Sequence, residues 1–278
     1  MPLIRTLTGL EEARNNYKGN RCGLVPTMGA LHLGHLALIE KALAENEVVW
    51  VSIFVNPTQF NNLNDLENYP KSLNADVDAI HSIHPKINIF APTVLEMYPQ
   101  KIEANSHIFY GLETVMEGAD RPGHFEGVIT IVSKLFDVVK PDCAYFGEKD
   151  FQQLLIIKNW TKTNRPSTKI IACPIVREAN GLAMSSRNNL LSKEARQEAG
   201  FIFKTLNYCV QKLRTSTEIL AEIKRVFASH PSFTLHYAIC VDEDSLQEVS
   251  QIDPYKNQRL FIAASVEGVR LIDNIALK

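Results

Sequence analysis

The chain has 278 residues, of which 45% are hydrophobic and 22% charged, and its formal net charge is −2. These fractions are typical of a globular protein long enough to bury one large core or two modest ones. The slightly acidic balance argues against a general nucleic-acid binder, which normally carries a basic face. No apolar run approaches the roughly 18 residues of a membrane span, and the N-terminus lacks the apolar core of a secretion signal. We therefore expect neither nucleic acid nor a membrane as a partner.

The first 176 residues alternate apolar runs with segments of helical period, which predicts a parallel sheet with crossover helices. The predicted strands are residues 23–25, 48–55, 87–90, 144–146 and 169–173, and the predicted helices are 36–44, 74–83, 128–138 and 151–160. The run VVWVSIFV at 48–55 is apolar on both faces, as a central strand covered by helices should be. Asn56-Pro57 then ends it, because proline cannot supply a ladder N–H.

The pattern changes after residue 177. One long helix is predicted at 192–213 and a second at 218–228, followed by short strands at 234–241, 259–264 and 268–272. The predicted fold is α/β: a Rossmann-like doubly wound parallel sheet in residues 1–176, with a smaller C-terminal α+β domain in residues 177–278 that closes over the active site.

The five cysteines are isolated and mostly within apolar runs: Cys22, Cys143, Cys173, Cys209 and Cys240. The sequence holds no Cys-x-x-Cys pair and no Cys/His zinc spacing. We expect buried, reduced thiols in a cytoplasmic protein.

Residues 26–35 (PTMGALHLGH) place two imidazoles three residues apart, directly after a predicted strand. A strand that passes through a glycine turn into a helix makes an anion site, because the helix's first N–H groups are unpaired and lie at its positive end. Residues three apart share a helix face, so His32 and His35 can both point at one phosphate chain. Taken alone, a His-x-x-His pair is also typical of surface or capping histidines.

Residues 146–153 (FGEKDFQQ) repeat the order of strand, turn and helix. Ligands of parallel sheets lie beyond the carboxyl ends of the strands, so both loops should open onto one crevice. Lys149 can reach a phosphate there, Asp150 can accept a ribose hydroxyl or cap the helix, and Gln153 can present its amide. An ordinary solvated turn is the alternative interpretation.

Residues 181–188 (GLAMSSRN) offer two hydroxyls and a guanidinium, which suit triphosphate oxygens on a mobile loop. Asn56 and Gln59, after the central strand, offer two carboxamides that can orient a carboxylate or hydroxyl without neutralising it. Residues 121–125 (RPGHF) are predicted to be a loop with an exposed arginine and histidine. Each segment alone is also typical of an ordinary polar turn.

Together these segments make the chain similar to the pantoate–β-alanine ligase family. The motifs that carry the resemblance are PTMGALHLGH at 26–35, FVNPTQF at 54–60, RPGHFEGV at 121–128, FGEKDFQQL at 146–154 and REANGLAMSSRN at 177–188. The motifs occur in order at family-like separations, so the resemblance covers essentially the whole chain. It implies a nucleotidyltransferase with a HIGH-type motif, here HLGH, and a KMSKS-like loop, here MSSRN. The chain departs from the usual family pattern at Asn180, where aspartate is usual, and at Leu190, where an aromatic residue is common.

The resemblance implies that ATP drives the condensation of (R)-pantoate with β-alanine to (R)-pantothenate, AMP and diphosphate through a pantoyl-adenylate, in the route to coenzyme A. It further implies Mg²⁺ as the metal that accompanies ATP, and a homodimer. Adenylation needs no strong base, because a carboxylate is already ionised at neutral pH. The base that deprotonates the amine of β-alanine is not identified.

The resemblance also implies the residues of the site. The expected catalytic residues are His35 as proton donor, His32, Lys149 and Arg187. ATP is expected to contact Met28, Gly29, Ala30, Leu31, His32, Leu33, Gly34, His35, Gly147, Glu148, Lys149, Asp150, Val176, Met184, Ser185, Ser186 and Arg187. Gln59 and Gln153 are expected to hold pantoate together with Asn56, and β-alanine is expected to enter near Gln59. Asp76 is expected near Mg²⁺.

Two other functions stay open at this point. A fragment of a class I aminoacyl-tRNA synthetase or another HIGH-motif adenylyltransferase would share the first motif, although the small C-terminal segment and acidic balance do not suggest a tRNA-binding region. A non-catalytic nucleotide-binding module on the same fold is the second alternative, because fold alone does not define function.

Overall fold

The computed structural model describes residues 3–277, which separate by their contacts into two compact units. The first unit contains the residues up to Glu148 together with Gln152–Pro174. The second contains Lys149–Phe151 and the residues from Ile175 onward. Lys149–Phe151 therefore belongs by its contacts to the second unit, although the chain on both sides of it belongs to the first.

The first unit is built on a six-stranded parallel sheet. Its strands are β1 (Leu3–Ile4), β2 (Cys22–Thr27), β3 (Val48–Ile53), β4 (Asn88–Phe90), β5 (Cys143–Gly147) and β6 (Lys169–Cys173), in the order β1-β4-β3-β2-β5-β6. The chain runs outward from β2 to β3 and β4, then returns to the other side of β2 with β5 and β6. This confirms the doubly wound parallel sheet and puts the topological switch point between β2 and β5.

Helices cover the sheet of the first unit. They are α1 (Leu7–Asn15), α2 (Leu33–Glu45), α3 (Leu63–Glu67), α4 (Leu73–Ile83), α5 (Val94–Met97), α6 (Met116–Asp120), α7 (His124–Val139) and α8, which begins in the second unit and spans Phe151–Asn164. All six residues of β3 are buried, as its continuous apolar run predicts for a central strand covered on both faces. Ile39 and Ala42 of α2 pack with Val25, Val49 and Val51 in one apolar cluster.

Several elements and boundaries of the first unit differ from the sequence-based expectation. The elements β1 and α1 were not predicted, because β1 has two residues and α1 buries only Leu10 completely, which leaves little periodicity to detect. The predicted strand 48–55 ends at Ile53. The predicted loop 121–125 is wrong in its second half, because α7 begins at His124 after Gly123 turns the chain with φ 81°.

The second unit confirms the predicted α+β class. Its antiparallel sheet has the order β7-β8-β9, with β7 at Thr234–Asp242, β8 at Gln258–Val266 and β9 at Val269–Leu277. Its helices are α9 (Lys193–Glu198), α10 (Phe201–Lys212) and α11 (Ser216–Ala228). Leu206 of α10 and Ile223 of α11 pack with Leu260 and Ile262 of β8 in a separate core.

The single helix predicted at 192–213 is wrong, because α9 and α10 are separate. The side-chain amide of Asn180 donates to the carbonyls of Arg196 (2.8 Å) and Gln197 (3.1 Å), which satisfies the end of α9. A Cβ at Gly200 would lie 2.5 Å from the carbonyl oxygen of Asn180, so glycine permits this close approach. Residues outside the helix therefore fix the break. No helix within residues 3–277 has the length and apolarity needed to cross a membrane.

Candidate active site

The turn after β2 has an unusual backbone conformation, which contacts with β3 and with Asp76 stabilise. Gly29 and Ala30 have φ values of 81° and 49°, in the left-handed region that a residue with a Cβ rarely adopts. The Thr27 hydroxyl donates to the carbonyl of Ser52 (2.7 Å) and accepts from the Gly29 N–H (3.2 Å), which ties the turn to β3.

Asp76 of α4 stabilises the same turn through hydrogen bonds. Its carboxylate is 2% exposed and accepts hydrogen bonds from the backbone N–H groups of Ala30 (3.0 Å) and Leu31 (2.8 Å) and from the Ser72 hydroxyl (3.2 Å). A Cβ at Gly29 would lie 2.9 Å from Oδ2 of Asp76, so only glycine fits above the carboxylate. The turn that leads to the first histidine therefore depends on one buried acid.

His32 and His35 cap the start of α2 as a reciprocal pair. Nδ1 of His32 accepts the Gly34 N–H (3.1 Å), and Nδ1 of His35 accepts the His32 N–H (3.3 Å). The two rings are half-buried, with centroids 4.1 Å apart. Because each Nδ1 is an acceptor, each neutral ring carries its proton on Nε2. The helix start thus presents two N–H donors of fixed tautomer, which suits the oxygens of a phosphate chain.

The two loops at the switch point are the turn after β2 and the start of the turn after β5. Gly23 and Leu24 of β2 pair in parallel with Cys143 and Ala144 of β5, so both strands end at the same edge of the sheet. Met28 and Glu148 follow these ends and are half-buried. An added Cβ at Gly147 would meet no atom within 4 Å, so that position is open.

Asn56 lies just beyond the end of β3 and is 0% exposed, and its side chain makes four hydrogen bonds within the first unit. Its amide nitrogen donates to the Gly127 carbonyl (3.0 Å) and to Oε1 of Gln59 (3.0 Å). Its oxygen accepts from Tyr98 (2.7 Å) and Thr58 (3.1 Å). Burial raises the pKa of Tyr98, so its hydroxyl stays protonated and can donate.

These bonds fix the direction of the Gln59 amide. The Gly127 carbonyl can only accept, so the nitrogen of Asn56 faces it and Oε1 of Gln59 faces the same nitrogen. Nε2 of Gln59 then points the other way and makes no hydrogen bond within the described residues 3–277. The predicted site residue Gln59 therefore offers two oriented donors, whereas Asn56 is a buried support whose own amide is saturated.

His124 and Gly127 of α7 and Arg121, which lies just before that helix, support Gln59, and sequence reasoning missed this role. Nδ1 of His124 lies 2.8 Å from the Gln59 carbonyl, and Arg121 donates to the same oxygen (3.2 Å). His124 is buried, which contradicts the exposed loop histidine predicted from RPGHF. A Cβ at Gly127 would lie 2.1 Å from the Thr58 carbonyl oxygen, so glycine allows α7 to approach the segment that carries Gln59. The motif RPGHFEGV was the available signal.

Gln152 and Gln153 at the start of α8 have different surroundings. Gln152 is buried, donates to the carbonyls of Leu112 and Val115 (both 2.8 Å) and accepts from the Glu117 N–H (3.1 Å). Gln153 is half-buried, and its amide makes no hydrogen bond with any residue in the range 3–277. The predicted substrate residue is thus the one whose amide the fold does not use.

The second unit carries the remaining expected ATP contacts. Lys149 is mostly buried along its side chain, and its Nζ lies 3.4 Å from Oδ1 of the more exposed Asp150. Val176 and Met184 pair through the Met184 N–H (3.0 Å), which closes a short hairpin that turns at Gly181 with φ 100°.

Ser185, Ser186 and Arg187 follow that hairpin directly. The Ser185 hydroxyl accepts the Arg187 N–H (3.3 Å) and caps the 3-10 turn Ser186–Leu190. Asn188 is buried and donates to Glu178 (2.7 Å) and to the Ala183 carbonyl (3.1 Å), which fixes the end of the segment to the hairpin. Leu190, one of the two departures from the family pattern, is half exposed.

The predicted site residues thus fall into two sets, each set within its own unit. The first unit holds the segment Met28–His35, Gly147, Glu148, Asn56, Gln59, Asp76 and Gln153, and the second holds Lys149, Asp150, Val176, Met184, Ser185, Ser186 and Arg187.

Asp76 does not fit a direct metal ligand. Both of its oxygens already accept backbone N–H groups, and residues 3–277 hold no cluster of three His, Cys, Asp or Glu side chains that could hold a metal ion. Mg²⁺ usually keeps several waters and binds through substrate phosphates. The residues present therefore suit a metal held by a phosphate chain better than one held by Asp76.

The chain was compared with known protein families and curated proteins. A family model described as pantoate-beta-alanine ligase matches residues 2–276. Pantothenate synthetase of Flavobacterium psychrophilum is 48% identical over 258 residues, which cover 92% of each chain. Pantothenate synthetase of Bacteroides fragilis is 45% identical over 286 residues, which cover 100% of this chain and 99% of that one.

Solved structures agree with these matches. Pantothenate synthetase from Thermus thermophilus superposes with a TM-score of 0.91 and 37% identity, over 100% of this chain and 99% of that chain. Pantoate-beta-alanine ligase from Francisella tularensis, in complex with beta-gamma ATP and beta-alanine, superposes with a TM-score of 0.83 and 37% identity, over 99% of this chain and 98% of that one.

Proposed function

This chain belongs to the pantoate–β-alanine ligase family, and from that premise we propose how its residues divide the work of joining pantoate to β-alanine. The enzyme is an ATP-dependent ligase. In the proposed first step a carboxylate oxygen of pantoate bonds to the α-phosphorus of ATP, and diphosphate leaves with the electrons of the broken P–O bond. In the second step the amine of β-alanine attacks the acyl carbon, AMP leaves, and the nitrogen loses a proton.

The observation that carries the first step is the pair of backbone N–H groups that the Nδ1 atoms of the two histidines accept. With both Nδ1 atoms accepting backbone N–H groups at the positive end of α2, the neutral rings of His32 and His35 carry their protons on Nε2. Such donors stabilise the charge that develops on phosphate oxygens, and His35 serves as proton donor. Lys149, Ser185, Ser186 and Arg187 add positive charge and hydroxyl donors for the same phosphates.

We assign pantoate to the two glutamines. The amide nitrogen of Gln59 is an oriented donor, because the amide nitrogen of Asn56 donates to the side-chain oxygen of Gln59. Gln153 supplies a second amide. Amides orient a carboxylate without neutralising it, so the oxygen that must attack phosphorus keeps its charge. β-Alanine is proposed to enter near Gln59.

The remaining ATP contacts follow from the turns that surround these groups. The nucleotide is proposed to lie against Met28, Gly29, Ala30, Leu31, Leu33, Gly34, Gly147, Glu148, Asp150, Val176 and Met184. Mg²⁺ is proposed to enter bound to the ATP phosphates. We further propose a cytoplasmic homodimer, with residues 1–176 as the ATP- and pantoate-binding domain and residues 177–278 as a domain that closes during turnover.

The first test measures pantoate-dependent exchange of labelled diphosphate into ATP. Replacing His35 by alanine removes one donor to the phosphates, and loss of such a donor costs about 100- to 1000-fold in rate. We expect His35→Ala to lose exchange to that extent. Its thermal midpoint should fall only slightly, because the His32 N–H loses its acceptor, and exchange is measured well below that midpoint. Exchange at the rate of the unaltered chain would refute the role of His35.

The second test identifies the nucleotide product. Incubation with ATP, pantoate and β-alanine should release AMP in an amount equal to the pantothenate formed. Another adenylyltransferase would transfer the AMP group to its own acceptor and release diphosphate, so it would form neither free AMP nor pantothenate from this mixture, and a non-catalytic nucleotide-binding module would leave ATP intact. Both alternatives are therefore distinguished from the ligase by one chromatographic measurement.

A further inference from the structure

Lys149–Phe151 is attached to the C-terminal sheet. The side-chain amide of Asn274 in β9 donates to the carbonyl of Lys149 (2.9 Å). The ring of Phe151 packs edge-on against Phe261 of β8, with centroids 5.8 Å apart, and the guanidinium of Arg259 lies 4.0 Å from the centre of the Phe151 ring. These contacts explain why the segment belongs to the second unit.

The orientation of the Asn274 side-chain amide is fixed by the donor on one side of it and the acceptor on the other. Its oxygen accepts from Nη1 of Arg259 (2.6 Å), and Arg259 donates from Nε to Glu243 (2.8 Å). A guanidinium only donates and a carbonyl only accepts, so a side-chain amide satisfies both neighbours and a carboxylate would satisfy only Arg259. Asn274 is 2% exposed, so water does not replace either bond.

The adjacent residue of the same strand holds the other phosphate-binding segment. Asp273 is 5% exposed and forms a two-pronged ion pair with Arg177, with oxygen–nitrogen distances of 2.6 and 3.0 Å. Arg177 also donates to the Gly181 carbonyl (3.1 Å) and stacks 3.7 Å from the centre of the Phe203 ring. It thereby fixes the hairpin from which Ser185–Arg187 continues.

The side chains of successive residues in a strand point to opposite faces of the sheet. Asp273 and Asn274 can therefore contact two different segments, Asp273 through Arg177 and Asn274 through the Lys149 carbonyl. We propose that this dipeptide is a positioning device for the ATP phosphates, in which Asn274 sets the place of Lys149 and Asp273, through Arg177, sets the place of Ser185–Arg187. The inference rests on the phosphate-binding roles proposed above for Lys149 and Arg187. Neither Asp273 nor Asn274 is itself assigned a contact with substrate.

The matched variant for the first half is Asn274→Asp. It keeps the acceptor for Arg259 and adds an ion pair with it, but it cannot donate to the Lys149 carbonyl. We expect calorimetric titration with ATP alone to give a Kd raised about fivefold to tenfold, the size expected for one lost buried hydrogen bond. The control is Gln258→Glu, the same chemical change at a buried amide of β8 whose bonds go to Gln251 and Asp253.

A double-mutant cycle with Lys149→Ala separates positioning from a general loss of stability. If Asn274 acts through Lys149, Asn274→Asp weakens ATP binding in the full chain and has no further effect once Lys149 is alanine. Two results would overturn the inference alone: independent, multiplying effects of the two substitutions, or a lowered thermal midpoint with an unchanged ATP Kd. If Lys149→Ala binds ATP as tightly as the unaltered chain, the proposed role of Lys149 fails and this half of the inference fails with it.

The second half is tested with Arg177→Lys, which keeps the positive charge opposite Asp273 but loses the two-pronged geometry. We expect Arg177→Lys to raise the Kd for ATP in the full chain. In an Arg187→Ala background the same substitution should leave the Kd unchanged. Arg225→Lys is the control, because Arg225 makes a two-pronged pair with Glu222 on the surface of α11. Equal effects of Arg177→Lys with and without Arg187 would show that Arg177 does not act through that residue.

Discussion

At the scale of single residues, several buried polar side chains of the proposed site make hydrogen bonds that fix the position of other protein groups. Asp76 accepts two N–H groups of the turn before His32, and Asn56 fixes the amide of Gln59. Each is hydrogen-bonded to a residue that is proposed to contact substrate, or to the turn that carries one. A substitution at such a position should therefore alter affinity or rate through geometry, although the substituted atom never meets the ligand.

Asp76 gives a direct test, because two different roles predict different responses to metal. Asp76→Asn preserves size but replaces one oxygen with an N–H₂ group, which cannot accept the bond from Ala30 or Leu31. Leaving a buried N–H unpaired costs about 1–3 kcal/mol, or about 5- to 150-fold in an equilibrium. We expect a KM for ATP raised within that range, measured at saturating pantoate and β-alanine.

The Mg²⁺ concentration for half-maximal activity should stay unchanged in Asp76→Asn. The control is Asp137→Asn, which removes an exposed carboxylate paired with Arg165 and should alter neither quantity. Recovery of Asp76→Asn by added Mg²⁺ would instead identify Asp76 as a group that binds the metal.

At the scale of elements, the sequence predicted strands and helices wherever their own residues carried the pattern. It missed β1 and α1, which carry little periodicity of their own, and its error in the second unit occurred where another part of the chain decides a boundary. The break between α9 and α10 depends on Asn180, whose amide donates to two carbonyls at the end of α9. Aspartate could not donate there, which gives the departure from the family pattern at this position a local structural consequence. Helical periodicity contains no information about such a neighbour.

The start of α11 is a local signal, and it carries a pH dependence. The Thr215 hydroxyl accepts the Glu218 N–H (3.2 Å), while the Glu218 carboxylate accepts the N–H groups of Thr215 and Arg214 (both 3.1 Å). The backbone N–H of Arg214, and then the side chain and N–H of Thr215, lower the pKa of Glu218. A carboxyl whose folded pKa is lowered stabilises the fold above its unfolded pKa, and this stabilisation is lost as pH falls through the folded value.

We therefore expect Glu218→Ala to lower the thermal midpoint at pH 7, and the difference from the unaltered chain to shrink as pH falls below about 4.3, the ordinary pKa of glutamate. Calorimetric scans between pH 7 and pH 3 measure this difference. Glu194→Ala is the control, since Glu194 lies in the first turn of α9 without forming a capping box. A difference that stays constant with pH would contradict the capping role of the carboxylate.

At the scale of the whole molecule, the loops of the proposed site could be predicted from the rule that ligands of parallel sheets lie beyond the strand ends. That rule depends only on topology, which alternating patterns reveal. The assignment of Lys149 to the second unit could not be predicted, because it depends on a hydrogen bond to Asn274, 125 residues away. The support of Gln59 by His124 and Arg121 was likewise hidden, since RPGHF has the composition of an exposed loop.

The five free cysteines provide a probe of both units. Burial raises the pKa of Cys22 to about 12 and those of Cys173 and Cys209 to about 11, and burial also raises the pKa of Cys240. The thiolate is the reactive form, so at pH 8 Cys22, Cys173 and Cys209 should react with iodoacetamide at least about 100-fold more slowly than a free cysteine of pKa about 8.5, and Cys240 should also react more slowly than a free cysteine. Mass spectrometry of the folded chain should find all four unmodified, including the half-buried Cys22.

Alkylation in increasing urea then reports the cooperativity of each unit separately. Cys143 and Cys173 lie in one apolar core of the first unit, and Cys209 and Cys240 lie in the core of the second. Residues of one core lose their packing together when a unit unfolds in a single transition, so the members of each pair should become labelled at the same urea concentration. Different midpoints for Cys209 and Cys240 would mean that the helices and the sheet of the second unit separate before it unfolds.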